Sequence, residues 1–317
     1  MAHLLAIDDV AEEFERILNW AIAFKHDSDI APDFKPLDGL AIGSIYEKPS
    51  TRTRISFEVG IDKLGGHPLT LLKGDIQLGK SETVGDTAQV LSRYLGAITY
   101  RCFGHADVVE LADKSTVPVI NALSDKHHPC QAAADLMTIK EKFEDLTSVN
   151  IAYIGDGNNV LHDLMLAAAI VGSDITWATP VGYEPDGEIV ARAQELAEKS
   201  GSTLTATNDP IEAVTDANVV YTDVFVSMGE EGLTDKLGDF DGFQINDELV
   251  ANADEDYLFM HCLPAHRGDE VTDSVMDSEN SIVFEQAENR MWAQISILTF
   301  LICEEAWETY AEFLELE

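Results

Sequence analysis

Residues 50–54 read S-T-R-T-R, hydroxyls and guanidiniums packed together with no acid among them. At the start of a helix such a run meets four unpaired backbone N–H groups and about half a positive charge from the helix dipole. Acidic side chains usually occupy that turn, so extra positive charge there suits an anion. A phosphate fits the whole set. Backbone N–H groups point at it, hydroxyls add short hydrogen bonds, and Arg52 can hold two oxygens at once. The run is not a Walker loop, because GxxxxGK[ST] is absent. A helix start with solvent-facing arginines is the plainer reading, and the run alone does not choose.

Three other stretches carry chemistry. HHPCQ (127–131) and HCLPAHRG (261–268) offer zinc donors. However, His128-x-Cys130 and the adjacent His261-Cys262 put neighbouring ligands in awkward geometry, so no metal is expected. A proline follows in each, Pro129 and Pro264, and fixes the backbone where carbonyls or side chains must be held still. In VNIAYIGDGNNVLHD, Gly155-x-Gly157 resembles the start of a dinucleotide fingerprint. Val160 stands where the third glycine belongs, and Thr179 and Pro180 where a ribose-binding acid belongs, so NAD is not expected. Asn158 and Asn159 remain at the carboxyl end of a strand, where α/β proteins bind ligands. One or both could equally cap the helix that follows.

The elements that must position these groups alternate between strand-like and helix-like runs. DDVAEEFERILNWAIAFK (8–25) carries a helical stripe of Val10, Phe14, Ile17, Leu18 and Ala21, with Asp8 or Asp9 as cap. LAIGSIY (40–46) reads as a buried strand before the S-T-R-T-R helix. HPLTLLK, SETVGDTAQVLSRYL, AITYRC, HADVVELADKS and VPVIN continue the alternation, which is the rhythm of a helix-wrapped parallel sheet. A second cycle follows the helix at 128–143, with strands at 149–156, SDITWATP, 219–225 and 256–264. The expected fold is α/β: two doubly wound parallel-sheet domains linked by helices. A closing amphipathic helix at roughly 286–316 is expected to pack back on the first domain. MGEEGLTDKLGDFDG, from Met228 to Gly242, suits either a lid over a site or an acidic surface loop.

Bulk composition narrows the partners. The 317 residues, 45% hydrophobic, suffice for two α/β cores. Acids number 58 against 20 Lys and Arg, a net charge of −38, which disfavours nucleic acid and anionic membranes as partners. The acids are spread through helices such as EEAWETYAEFLELE, which points to adaptation to molar salt, where the Debye length is about 3 Å, over a merely acidic surface. The longest apolar run, ISILTFLIC (295–303), is half the roughly 18 residues of a membrane span. MAHLLAIDDVAEEFE lacks the pattern of a secretion signal. Cys102, Cys130, Cys262 and Cys303 form no CxxC pair and read as reduced thiols of a cytoplasmic protein.

Taken together, S-T-R-T-R, D-I-Q-L-G (75–79), Y-R-C-F-G-H (100–105), H-P-C-Q, D-x-x-x-S-M-G (223–229) and H-C-L-P resemble the ornithine carbamoyltransferase family, in its order and across nearly the whole chain. Aspartate carbamoyltransferases share S-T-R-T-R and H-P-x-Q but have H-P-L-P in place of H-C-L-P and lack S-M-G. Asp163 stands where the family commonly has serine, while Asn159 is in place.

The resemblance implies a carbamoyl phosphate domain at 1–143, with 286–317 returning to it, and an ornithine domain at 144–285. It implies that Ser50, Thr51, Arg52 and Thr53 hold the phosphate and that Arg101 bridges phosphate and carbonyl oxygen. His128 and Thr53 donate to that oxygen. Gln131 and the Leu263 carbonyl accept from the carbamoyl amide, and Arg290 adds a further contact. Gln77 matches a residue that reaches in from a neighbouring subunit, which implies a homotrimer or an assembly of trimers. Asn159, Asp223, Ser227 and Met228 read the main-chain end of ornithine, and Cys262 meets its side-chain amine. Arg101, His128, Cys262 and Asp223 are the expected catalytic set, with no cofactor and no metal. Two rivals stand beside this reading: a carbamoyltransferase for putrescine or an acylated ornithine, and a non-catalytic phospho-metabolite-binding module.

Overall fold

A computed structural model describes residues 2–27, 33–226 and 236–313. The chain divides into two compact units, Met1–Met137 with Glu288–Glu317, and Thr138–Ala287.

The first unit is built on four parallel strands, β1 (Ala41–Tyr46), β2 (His67–Leu72), β3 (Ala97–Arg101) and β4 (Val119–Leu123), in the order β2-β1-β3-β4. Helices α1 (Phe14–His26), α2 (Arg52–Lys63), α3 (Val84–Leu91) and α4 (His105–Lys114) accompany them, and α5 (Pro129–Lys142) leads out of the unit. β1, β3 and β4 are buried almost end to end, as befits strands covered on both faces. The edge strand β2 is not: Leu69 and Leu72 are exposed.

The expected helix at 8–25 begins later than its apolar stripe. Ile7–Val10 is a 3-10 turn and α1 starts at Phe14. Asp9 is spent on the turn, where its Oδ2 accepts from the N–H groups of Leu5 and Ala6 at 2.6 and 3.0 Å. The stripe itself is buried throughout.

The second unit has five parallel strands, β5 (Asn150–Ile154), β6 (Asp174–Ala178), β7 (Leu204–Thr207), β8 (Val219–Thr222) and β9 (Leu258–His261), in the order β7-β6-β5-β8-β9. Its helices are α6 (Asn159–Val171), α7 (Gly187–Ser200) and the short α8 (Pro210–Val214), α9 (Asp247–Val250) and α10 (Asp273–Met276). The core packs Ile154, Val220, Phe225, Phe240, Phe259 and Val283 together. Gly157 is needed for space: a Cβ there would stand 2.3 Å from the backbone nitrogen of Pro185. The glycine that looks like part of a nucleotide fingerprint therefore serves close packing of the 183–185 loop.

The C-terminal segment holds two helices where one was expected, α11 (Val283–Ile302) and α12 (Glu304–Phe313). At the break, the Cys303 thiol donates to the Pro36 carbonyl at 3.0 Å. Beyond it Trp307, 1% exposed, stacks on Trp20 with ring centroids 5.4 Å apart. Burial of a large indole sets the turn, which amphipathic periodicity alone does not reveal. Among the described residues no helix is long and apolar enough to cross a membrane.

Candidate functional site

In each sheet the chain reverses direction once. From β1 it goes to β2 on one side and returns to β3 on the other; from β5 it goes to β6 and β7, then returns to β8 and β9. Crevices beyond the carboxyl ends of strands at such switch points are where open α/β sheets bind ligands. Most of the described residues singled out from sequence sit at or beside these two places.

In the first unit, Ser50 and Thr51 lie in the turn after β1, and α2 begins at Arg52. Thr51 gives no side-chain cap, and the first turn of α2 contains no acid. A positive helix end of this kind suits an anion. Thr53 is buried, as are Arg101 at the end of β3, His128 just ahead of α5, Gln131 in its first turn, and Arg290 in α11. Arg290 joins three of the elements. Its Nη1 donates to Gln131 Oε1 and its Nη2 to Thr53 Oγ1, the latter at 3.0 Å. Gln131 in turn donates to Asp135 at 2.8 Å. Burial, then the charges of Arg290 and Arg101, hold the His128 imidazole well below its ordinary pKa of 6.5. It is a neutral ring among cations, able to donate a hydrogen bond without adding charge.

Gln77 is placed elsewhere. It is exposed in the loop after β2, where Ser81 Oγ donates to its Oε1 at 3.1 Å.

The second unit gathers Asp223, Cys262 and the Asn158-Asn159 pair at the ends of β8, β9 and β5. Asn158 is the helix cap: its Oδ1 accepts from the N–H groups of Val160 and Leu161 at 2.9 and 3.3 Å. Its Nδ2 simultaneously donates to Asp223 Oδ2 at 2.8 Å, and the Cys262 thiol donates to Oδ1 at 2.8 Å. Asn159, in the first turn of α6, is partly exposed. Ser227 and Met228 lie outside the described residues. So do 228–235 of the glycine-rich segment; the described part, Lys236–Phe240, is a 3-10 turn with Lys236 and Phe240 buried. Lys236 pairs with Asp156 at 2.8 Å.

The H-C-L-P turn has unusual backbone geometry. Leu263 has φ 58°, rare for a residue with a branched side chain. It is held by its N–H, which donates to His261 Nδ1 at 2.8 Å, while His261 Nε2 meets Glu270 Oε1 at 3.1 Å. Asp223, His261 and Cys262 bring metal-capable atoms within 4.8 Å of one another, as do His266, Asp269 and Glu270. In the first trio both nitrogens of His261 are already engaged, and the thiol is turned to the carboxylate.

Each unit thus carries a cluster at its own switch point, one cationic and one with a carboxylate beside a thiol. Residues 2–141 match the model of the aspartate/ornithine carbamoyltransferase carbamoyl-P binding domain, and 147–301 that of the Asp/Orn binding domain. This chain belongs to the ornithine carbamoyltransferase family. A Thermoplasma acidophilum relative named ornithine carbamoyltransferase, catabolic, is 50% identical over 300 residues, 94% of this chain and 98% of the relative. One from Pyrococcus furiosus, named ornithine carbamoyltransferase, anabolic, is also 50% identical, over 94% of this chain and 96% of its own length. A solved ornithine carbamoyltransferase from Pyrococcus furiosus superposes with a TM-score of 0.91 at 50% identity, covering 95% of this chain and 96% of that one.

Three features of this family member escape sequence reasoning. Asn158 caps α6, one of the two roles its sequence position left open, but its hold on Asp223 had no signal in the sequence. The His261–Glu270 pair braces the H-C-L-P turn from nine residues away. Asp163, at the position that departs from the family's serine, is fully buried within α6.

Proposed function

We propose that this protein transfers the carbamoyl group of carbamoyl phosphate to the side-chain amine of L-ornithine, giving L-citrulline and phosphate. The observation that carries this reading is the Asp223–Cys262 contact at the ends of β8 and β9, a carboxylate and a thiol where an amino acid with two amines is to be read. The first domain, 1–143 with 286–317, takes carbamoyl phosphate; the second, 144–285, takes ornithine. Ser50, Thr51, Arg52 and Thr53 hold the phosphate, and Arg101 and His128 stabilise the carbonyl oxygen as it gains charge. Arg290 and Gln131, bonded to each other in the free protein, exchange that bond for carbamoyl phosphate, and the Leu263 carbonyl accepts from its amide. Asn159, Asp223, Ser227 and Met228 read the main-chain end of ornithine.

The attacking amine must be neutral. With a lysine-like pKa near 10.4, deprotonation at pH 7 costs about 4.6 kcal/mol. Loss of that proton beside Cys262, together with orientation of both substrates, carries the rate. Phosphate is the leaving group.

The active unit is proposed to be a homotrimer. Exposed Ile55 and Val59 on α2 and Leu69 and Leu72 on β2 support a face covered by another copy, next to the loop that carries Gln77. Free thiols support a reducing, cytoplasmic setting, and the −38 charge supports a saline one. Phosphate release from carbamoyl phosphate, measured with ornithine, putrescine and acetylornithine in parallel, tests the reading. Release with ornithine alone is the expected result; release with another amine, or with none, overturns it.

A further inference from the structure

We propose that Glu47, which touches neither substrate in the scheme above, is the positioning residue of the phosphate half-site. Its buried carboxylate ties together the carboxyl ends of the three adjacent strands β2, β1 and β3. Glu47 follows β1 directly, and its side chain is only 4% exposed. Oε1 accepts from Lys73 Nζ at 3.0 Å, just past β2, and from the Tyr100 hydroxyl at 3.1 Å, within β3. Oε2 accepts from the Phe103 N–H at 3.1 Å, just past β3. The Glu47 N–H also donates to the Arg101 carbonyl at 3.0 Å.

Arg101 is therefore bracketed. The residue before it and the residue two beyond it are both anchored to one carboxylate, and its own carbonyl to the same residue's backbone. This matters because β3 leaves regular pairing with β4 at this point: the register shifts between Tyr100 and Arg101. An irregular strand end does not fix a side chain's direction by its ladder alone. Glu47 supplies the missing constraint.

Charge makes the same carboxylate hard to replace. Lys48 and Lys73 both hold their ammonium groups over the Phe103 ring, 4.6 and 5.6 Å from its centroid. Burial and then Arg101 depress the Lys48 pKa. Burial and then Glu47 push the Cys102 thiol up to about 12, so this thiol stays protonated beside Arg101. Without Glu47, Lys48, Lys73 and the phosphate-binding arginine would lose their buried anion and keep only the more exposed Asp125 and Asp107 as nearby carboxylates until substrate arrived. With it, cation spacing is set in advance, and little reorganisation is left for binding.

The inference rests on Arg101 holding the phosphate. Glu47→Gln keeps size and an acceptor but loses the charge and offers N–H to a donor. Steady-state kinetics should show kcat/KM for carbamoyl phosphate falling about tenfold or more, inhibition by inorganic phosphate weakening in parallel, and KM for ornithine at saturating carbamoyl phosphate staying within about twofold. Tyr100→Phe and Lys73→Met each remove one donor while leaving the carboxylate, and should give smaller losses of the same kind. They decide the matter if Glu47→Gln does not fold. Unchanged carbamoyl phosphate and phosphate constants in the folded variants overturn the proposal, as does an equal loss for both substrates, which marks a merely structural residue. A wild-type protein without carbamoyl transfer to ornithine refutes the function itself, and that control is run first.

Discussion

Cys262 and Asp223 form the sharpest contact at the residue scale, a thiol donating to a carboxylate at 2.8 Å. Cys262→Ala removes a group assigned to the attacking amine and frees one oxygen of Asp223. Its expected effect is a rise in KM for ornithine of about tenfold, with the carbamoyl phosphate constant little changed. A change confined to carbamoyl phosphate would place the cysteine elsewhere in the mechanism. His128 makes a second prediction through its depressed pKa. The folded protein resists protonating this ring, whereas the unfolded chain takes up the proton near pH 6.5. Above that pH the group costs nothing; as pH falls below it, the unfolded state binds more protons and stability drops. His128→Asn should therefore flatten part of the loss of stability between about pH 6.5 and 5 in denaturant titrations. A pH dependence identical to that of wild type would mean the ring titrates normally.

At the scale of elements, the start of α6 does two jobs with one side chain. Asn158 caps the helix through Oδ1 and aligns Asp223 through Nδ2. Asn158→Ala loses both and should cost about 1 kcal/mol of stability along with ornithine affinity. Asn158→Asp separates the jobs. It still caps, so stability should be largely retained, but it sets a second carboxylate against Asp223 and should weaken ornithine binding or shift it to lower pH. Melting temperature and ornithine KM, measured on both variants, check this. Equal ornithine constants in the two variants and wild type would show that Asp223 is held by other means.

For the molecule as a whole, the dominant property is 58 acids against 20 Lys and Arg. At low salt these charges repel over about 10 Å or more, which disfavours the compact state and the approach of anionic carbamoyl phosphate. Stability and activity are expected to rise between about 0.1 M and 3 M KCl, the range over which the Debye length shrinks severalfold. Enzymes that grip phosphate with arginines in a balanced surface field tend the other way, because salt weakens those contacts. Melting curves and initial rates at both concentrations decide it. A protein equally stable and faster at the lower concentration would sever the acidic composition from salt adaptation.

The sequence by itself determined the class of fold and the family. Strand and helix periods are local properties of a chain whose inner strands are buried on both faces, and S-T-R-T-R, H-P-C-Q and H-C-L-P carry their residue types in linear order. It also placed Asn159 after a strand, where parallel sheets expose their ends, but it ran the strands at 219–225 and 256–264 through Asp223 and Cys262, which the structure instead sets just past β8 and β9. Only the tertiary structure decided what depends on residues far apart in the chain. The α11–α12 break comes from packing Trp307 on Trp20, and no helical period reports that partner. Gly157 answers to the Pro185 backbone rather than to a nucleotide. The Arg290 bond to Thr53 spans 237 positions, and Glu47 reaches Phe103 across 56. A buried charge is satisfied by whichever donors the fold delivers to it, so its partners are fixed by strand order and register, which side-chain identity alone does not encode.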